Sequence, residues 1–114
     1  MNKILIYGAY GYTGTLTSHL AHQRGIDVVL AGRNPEKLTA LAEPLGFETR
    51  ACTTDNIGDH LDGIGAVLHC AGPFSTTVAP VLEACMDHGV HYLDITGEIA
   101  VFEAVAARSA DAKA

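Results

Sequence analysis

At 114 residues the chain is one domain, residues 1–114, large enough to bury about two-thirds of its extended-chain surface; its 48 % hydrophobic content and mean hydropathy of +0.20 suit strands covered on both faces. A net charge of −6, with seven Lys and Arg spread along the sequence, argues against a nucleic-acid partner, and no apolar run approaches the roughly 20 residues of a membrane span. The start is too short and too soon structured for a signal peptide, and Cys52, Cys70 and Cys85, odd in number and widely spaced, point to reduced thiols in a cytoplasmic protein.

Lys3–Tyr7, with the apolar stretch Ile4-Leu5-Ile6-Tyr7, reads as the first strand. It runs straight into Gly8-Ala9-Tyr10-Gly11-Tyr12-Thr13-Gly14, a glycine-rich turn between a strand and a helix, the arrangement by which a Rossmann unit holds a dinucleotide pyrophosphate. Gly8 lets the chain turn off the strand end. Gly11, without a Cβ, admits phosphate oxygens close to the backbone. Gly14 sits one turn into the helix and permits tight packing on the strand. The N–H groups of that first helical turn and the helix dipole favour an anion. The spacing is GxxGxxG: Gly11 and Gly14 match the second and third glycines of the GxGxxG pattern, and Ala9 stands at the first.

The helix spans about Gly11 to Arg24 and ends at Gly25. A second strand, Asp27–Ala31, carries the run Val28-Val29-Leu30-Ala31 of a doubly covered parallel sheet. At its end, where an acid would bind the adenine-ribose hydroxyls, stands Ala31-Gly32-Arg33-Asn34. Arg33 is placed to pair with a 2′-phosphate, so NADP(H) is expected to bind roughly ten- to a hundredfold more tightly than NAD(H). Asn34-Pro35-Glu36 starts a second helix, with an Asn N-cap, Pro at the first helical position and an acid in the first turn. That helix buries Leu38, Leu41, Ala42 and Leu45 and ends at Pro44-Gly46, and Phe47–Cys52 is the third strand.

Asp55, just past that strand, either contacts adenine or caps the next segment, a short helix near Ile57–Leu61. Strand four is Ala66–Cys70. Gly72-Pro73 then turns into a helix over Thr77–His88, with Pro80 in its first turn and Gly89 closing it. Strand five is His91–Ile95, and a last helix over Glu98–Arg108 carries Ile99, Phe102, Val105 and Ala106 on one face. Alternating strands and helices give an α/β fold: a Rossmann-like, doubly wound parallel sheet of five strands in the order 3-2-1-4-5. The switch point lies between strands one and four, where the loops after Tyr7 and Cys70 diverge. The sixth strand of a full dinucleotide fold is lacking.

Other constellations carry less. Cys85, His88 and His91 straddle a helix end, a glycine and a strand start, so no metal site is expected. Cys70 has no thiolate-stabilising base beside it in sequence and reads as structural, and His69 reads as a packed core histidine or a cofactor-side donor. Asp94 and Glu98 flank the cleft mouth without compelling an acid/base pair, and Thr96, Gly97 and Glu98 line the cofactor or substrate edge. The Tyr-x-x-x-Lys element of short-chain dehydrogenases is absent: four positions after Tyr7, Tyr10, Tyr12 and Tyr92 stand Gly11, Gly14, Leu16 and Thr96.

Together with the glycine turn and Leu30-Ala31-Gly32-Arg33-Asn34-Pro35, the segments Cys70-Ala71-Gly72-Pro73-Phe74 and His91-Tyr92-Leu93-Asp94-Ile95-Thr96-Gly97-Glu98 resemble the NADP-binding domain of the saccharopine dehydrogenase-like oxidoreductases, a group that includes the trans-acting enoyl reductases. The resemblance covers nearly the whole chain. It implies the N-terminal Rossmann part of a longer enzyme, with NADP as cofactor and hydride transfer to or from an imine, enoyl or carbonyl group. A small-molecule substrate would be held by a C-terminal domain that this chain lacks, so the 114-residue segment alone is expected to bind dinucleotide and turn over nothing. The resemblance carries over Gly8, Gly11 and Gly14 with Tyr10, Tyr12 and Thr13 as cofactor contacts, Arg33 and Asn34 on the phosphate side, and Ala71, Gly72 and Pro73 beside the nicotinamide ribose. It supplies no catalytic residue. The alternatives are an NmrA- or extended short-chain-type redox sensor and a non-catalytic dinucleotide-binding module. With strand five an open edge, a homodimer through His91–Ile95 or the last helix is expected.

Overall fold

The structure, a computed structural model, describes residues 3–70 and 74–94. Five parallel strands form one sheet in the order β3-β2-β1-β4-β5. In chain order the elements are β1 (Lys3–Tyr7), α1 (Tyr12–Gln23), β2 (Val28–Gly32), α2 (Pro35–Leu45), β3 (Glu48–Ala51), a 3₁₀ turn (Ile57–His60), β4 (Ile64–His69), α3 (Phe74–Asp87) and β5 (His91–Asp94).

The alternation of side chains along the strands builds two cores. Leu5, Tyr7, Val29, Ala31 and Val67 face one way and pack with Cys52 just past β3, Ile57 of the 3₁₀ turn and Leu61 at its end, and Val81 and Cys85 of α3. Ile6, Val28 and Leu30 face the other way and pack with Ala9, Ala21, Leu38 and Ala42 from the glycine turn, α1 and α2. Leu5, Val29, Leu30 and Leu38 are fully buried, each such side chain contributing about 1.5–3 kcal/mol. Since β2 is buried at every position, its apolar run shows no polar alternation.

The strands end together at their C-terminal edge: Tyr7 pairs with Ala31 on one side and His69 on the other, Gly32 with Ala51, and His69 with Asp94. The loops after β1, β2 and β4 therefore converge on one edge, with the switch point between β1 and β4 as expected.

Two elements begin earlier than the sequence suggests. β4 starts at Ile64 rather than Ala66, because the register shifts between Lys3 and Ile4 and leaves Gly65 in a bulge. Gly63, at φ +75°, turns the chain into this strand. α3 starts at Phe74 rather than Thr77, so Pro80 lies inside the helix and not in its first turn. The missing hydrogen bond is offset by the burial of Val81, Leu82 and Cys85 just beyond it. Ile95 of the expected fifth strand, Ala71, Gly72 and Pro73, and the expected last helix over Glu98–Arg108 lie outside the described residues.

Candidate dinucleotide-binding site

The glycine turn is tied to its neighbouring strands by backbone bonds. The N–H groups of Gly8 and Ala9 donate to the Ala31 carbonyl at 2.9 and 3.2 Å, and Gly11 N–H donates back to the Gly8 carbonyl at 3.1 Å. Gly8 takes φ +79°, a left-handed conformation that a side chain would strain. Cys70 N–H donates to the Tyr7 carbonyl at 2.8 Å, so the chain leaving β4 starts beside the turn.

The next two glycines differ in what constrains them. A Cβ on Gly14 would overlap the Gly8 carbonyl oxygen and lie 2.7 Å from that of Ala9. Close packing of α1 on the turn therefore demands glycine. A Cβ on Gly11 would meet only the Gly8 carbonyl, at 3.4 Å, an ordinary contact, and its φ of −71° is open to any residue. Packing within the described chain leaves Gly11 free to be larger. Gly11 is also the N-cap of α1, with no side-chain cap and no acid in the first turn. The first N–H groups of this helix are thus left for a partner from outside, and that combination fits a pyrophosphate.

α2 is built differently. Its N-cap, Asn34, accepts a hydrogen bond from Lys37 N–H at 3.1 Å, and Pro35 and Glu36 occupy the first two helical positions. Tyr10 links this helix to the glycine turn. Its hydroxyl accepts the Asn34 N–H at 3.1 Å, and its ring lies so close to Gly32 that a Cβ there would come 2.7 Å from the ring edge. Lys37 Nζ stands 5.5 Å from the ring centroid. Tyr10, Arg33, Asn34, Pro35, Glu36 and Lys37 line an open groove of about 610 Å³ beyond β2.

The structure thus brings Gly8, Tyr10, Gly11, Gly14, Arg33 and Asn34 to one end of the sheet, in the turns after β1 and β2. Tyr12 is 85 % exposed at the start of α1, and the neighbouring Thr13 is half-buried. Asp55 lies exposed in the turn before the 3₁₀ segment and forms no capping bond among the described residues; Thr53 N–H is held by Asn56 Oδ1 instead, at 2.7 Å. Asp55 is near enough for its charge to act on Tyr7. Burial pushes the Tyr7 phenol up, the neighbouring Cys52 adds to this, Arg33 opposes it, and Tyr10 and Asp55 raise it further.

Burial also holds the thiols protonated: Cys70 is pushed up to about 11, and Cys85 to about 12. Cys70 is therefore a poor nucleophile at neutral pH, in keeping with its structural reading. His69 is fully buried and stacked on Tyr7 with ring centroids 5.8 Å apart, a core position. Among the described residues no group of His, Cys, Asp or Glu is arranged to hold a metal, and no helix is long and apolar enough to cross a membrane.

Lys37 was not among the residues that sequence reasoning selects. The available signal was a cation at the third position of α2, where a capped helix ordinarily carries Glu or Gln.

The chain is similar to known proteins in sequence and in fold. The chain is 30 % identical over 107 residues to a trans-acting enoyl reductase of Mycobacterium ulcerans, a match that spans 85 % of this chain and 26 % of the relative, so the chain covers about a quarter of that protein's length. Its fold is similar to saccharopine dehydrogenase (L-Glu forming) from Saccharomyces cerevisiae, with a TM-score of 0.75 at 17 % identity, over 90 % of this chain and 24 % of that one. It is similar as well to the NAD(P)-binding domain of an exopolyphosphatase-related protein from Archaeoglobus fulgidus, with a TM-score of 0.76 at 17 % identity, over 95 % and 83 % of the two chains. The model of the saccharopine dehydrogenase NADP-binding domain matches residues 4–114. With a glycine turn that leaves an open helix N-terminus and an arginine where an acid would select NAD, this chain belongs to the saccharopine dehydrogenase NADP-binding domain family, and its cofactor is NADP.

Proposed function

We propose that the chain binds and orients NADP(H) for a saccharopine dehydrogenase-like oxidoreductase that transfers hydride to or from an imine, enoyl or carbonyl substrate. The observation that carries this reading is Gly11, a glycine that its own chain does not require, at the uncapped end of α1. Bound there, the dinucleotide supplies the hydride. The protein's part is to hold the pyrophosphate against the first N–H groups of α1, with Gly8, Tyr12, Thr13 and Gly14 shaping the turn. Arg33 and Asn34 would bind the 2′-phosphate side, and Asp55, without a capping role among the described residues, would reach the adenosine. Ala71, Gly72 and Pro73, outside the described residues, would contact the nicotinamide ribose, as the family resemblance implies.

Substrate contacts would come from polypeptide beyond this domain, as the length of the curated relatives supports. Among the described residues β5 is the edge of the sheet, which supports association with a second copy of the chain.

Gly11→Ala tests the central observation. Alanine is a somewhat poorer N-cap than glycine, so a stability loss of at most about 1 kcal/mol is expected. NADPH affinity should fall at least about tenfold, because the new methyl group stands where phosphate oxygens must approach. Unchanged affinity in a folded Gly11→Ala protein would contradict the reading.

A further inference from the structure

We propose that Lys37 is a second cation for the adenosine 2′-phosphate of NADP, acting with Arg33 and held ready over the ring of Tyr10. The proposal rests on the NADP reading of this groove and adds to it a residue that chooses between the two nicotinamide dinucleotides.

Three observations carry it. Arg33 and Lys37 line the same open groove, and among the described residues neither has a carboxylate partner; the ion pairs among those residues, all outside the groove, use Lys3 and Arg50. Glu36 lines the groove too, but it occupies the second position of α2, where a negative charge suits the positive end of the helix.

Lys37 stands where its own helix disfavours a cation. It is the third residue of α2 after the Asn34 cap, the position at which Glu or Gln would reach back to complete a capping box and at which the dipole opposes positive charge. A residue that breaks a local rule points to a role outside the local structure.

Tyr10 supplies the compensation. Its ring is fixed by the hydroxyl's bond to Asn34 N–H and by its seat on Gly32, and it carries the Lys37 ammonium at 5.5 Å. A lysine rested on a fixed aromatic floor stays at the groove at smaller entropic cost than one free in solvent. An incoming phosphate dianion, a stronger partner than the ring, would take the ammonium over while Arg33 engages it with its planar fork.

The test compares adenosine 2′,5′-bisphosphate with adenosine 5′-monophosphate by calorimetry, on the wild-type chain and on Lys37→Gln, Lys37→Glu and Arg33→Gln. Inorganic phosphate serves as a third ligand, to separate the nucleotide from a bare anion. The wild type should prefer the bisphosphate, and inorganic phosphate should bind far more weakly than either nucleotide. Lys37→Gln should lose about five- to tenfold in bisphosphate affinity with 5′-monophosphate binding unchanged. Lys37→Glu should lose more while melting within a few degrees of the wild type, since the lost contact with the Tyr10 ring is offset by the fit of an acid to the helix N-terminus; a merely structural lysine would show loss of stability without this selective loss of binding. If Lys37→Gln binds both nucleotides as the wild type does while Arg33→Gln loses the preference, the Lys37 proposal is overturned and the NADP reading stands. If the wild type itself shows no preference for the bisphosphate, or binds inorganic phosphate as tightly, both are overturned.

Discussion

Gly14 and Gly11 sit three residues apart in the same motif, yet the chain itself excludes a side chain only from Gly14. At Gly14 the obstacle is the protein's own backbone, the carbonyl oxygens of Gly8 and Ala9. Those groups are fixed by hydrogen bonds to β2 and within the turn, so they cannot yield cheaply. In a helix clear of such contacts, Gly to Ala would stabilise by up to about 1 kcal/mol. Here Gly14→Ala is expected to destabilise by about 2–3 kcal/mol, lowering the melting temperature by roughly 10 °C. A melting temperature equal to or above that of the wild type would show that α1 does not pack on the turn as described. At Gly11, by contrast, the fold is indifferent and any penalty should appear in binding. The glycine spacing alone does not separate these two roles, since both positions match the same motif. Lys37 illustrates a related limit. Its place in a capped first turn is visible in the sequence, but its neighbour on the Tyr10 ring lies 27 residues away and becomes visible only when the chain is folded.

At the scale of elements, the parallel order and the identity of every described strand and helix were legible, because buried strands announce themselves as apolar runs and the helices carry strong punctuation. Gly25, Gly46 and Gly89 all take positive φ where the helices stop, as a C-terminal glycine should. The two displaced starts arose where a residue had two local meanings. Gly65 suits a turn as well as a bulge, and only pairing with β1 decides between them. Pro80 suits a helix start as well as an interior kink, and only the packing of Val81 and Cys85 decides that. β5 raises a different question, because among the described residues it is the edge of the sheet. Ile4 and Leu93 stay exposed on the face opposite α3, Leu93 by 55 %. A strand edge without a neighbour, with an exposed Leu93 on it, is a place where a second strand could pair. The wild-type chain is expected to dimerise at high concentration by light scattering, and Leu93→Lys to be monomeric with unchanged helix content. A wild-type protein that stays monomeric throughout would contradict this.

For the whole molecule, the sheet order accounts for where the proposed site lies. Strands that run from β1 toward β3 on one side and toward β5 on the other leave a crevice at the C-terminal edge between β1 and β4. The glycine turn and the cation-lined groove beyond β2 sit along that edge, joined by Tyr10, so a dinucleotide with its central pyrophosphate at the turn would carry its adenosine 2′-phosphate toward the groove. That the chain covers about a quarter of its curated relative's length fits a division of labour in which this domain holds the cofactor and other polypeptide holds the substrate. The most direct test is a calorimetric titration of the 114-residue chain with NADPH and, in parallel, NADH. NADPH binding roughly ten- to a hundredfold tighter than NADH is the predicted result. Equal affinities, or no binding of either by a protein shown to be folded, would contradict it.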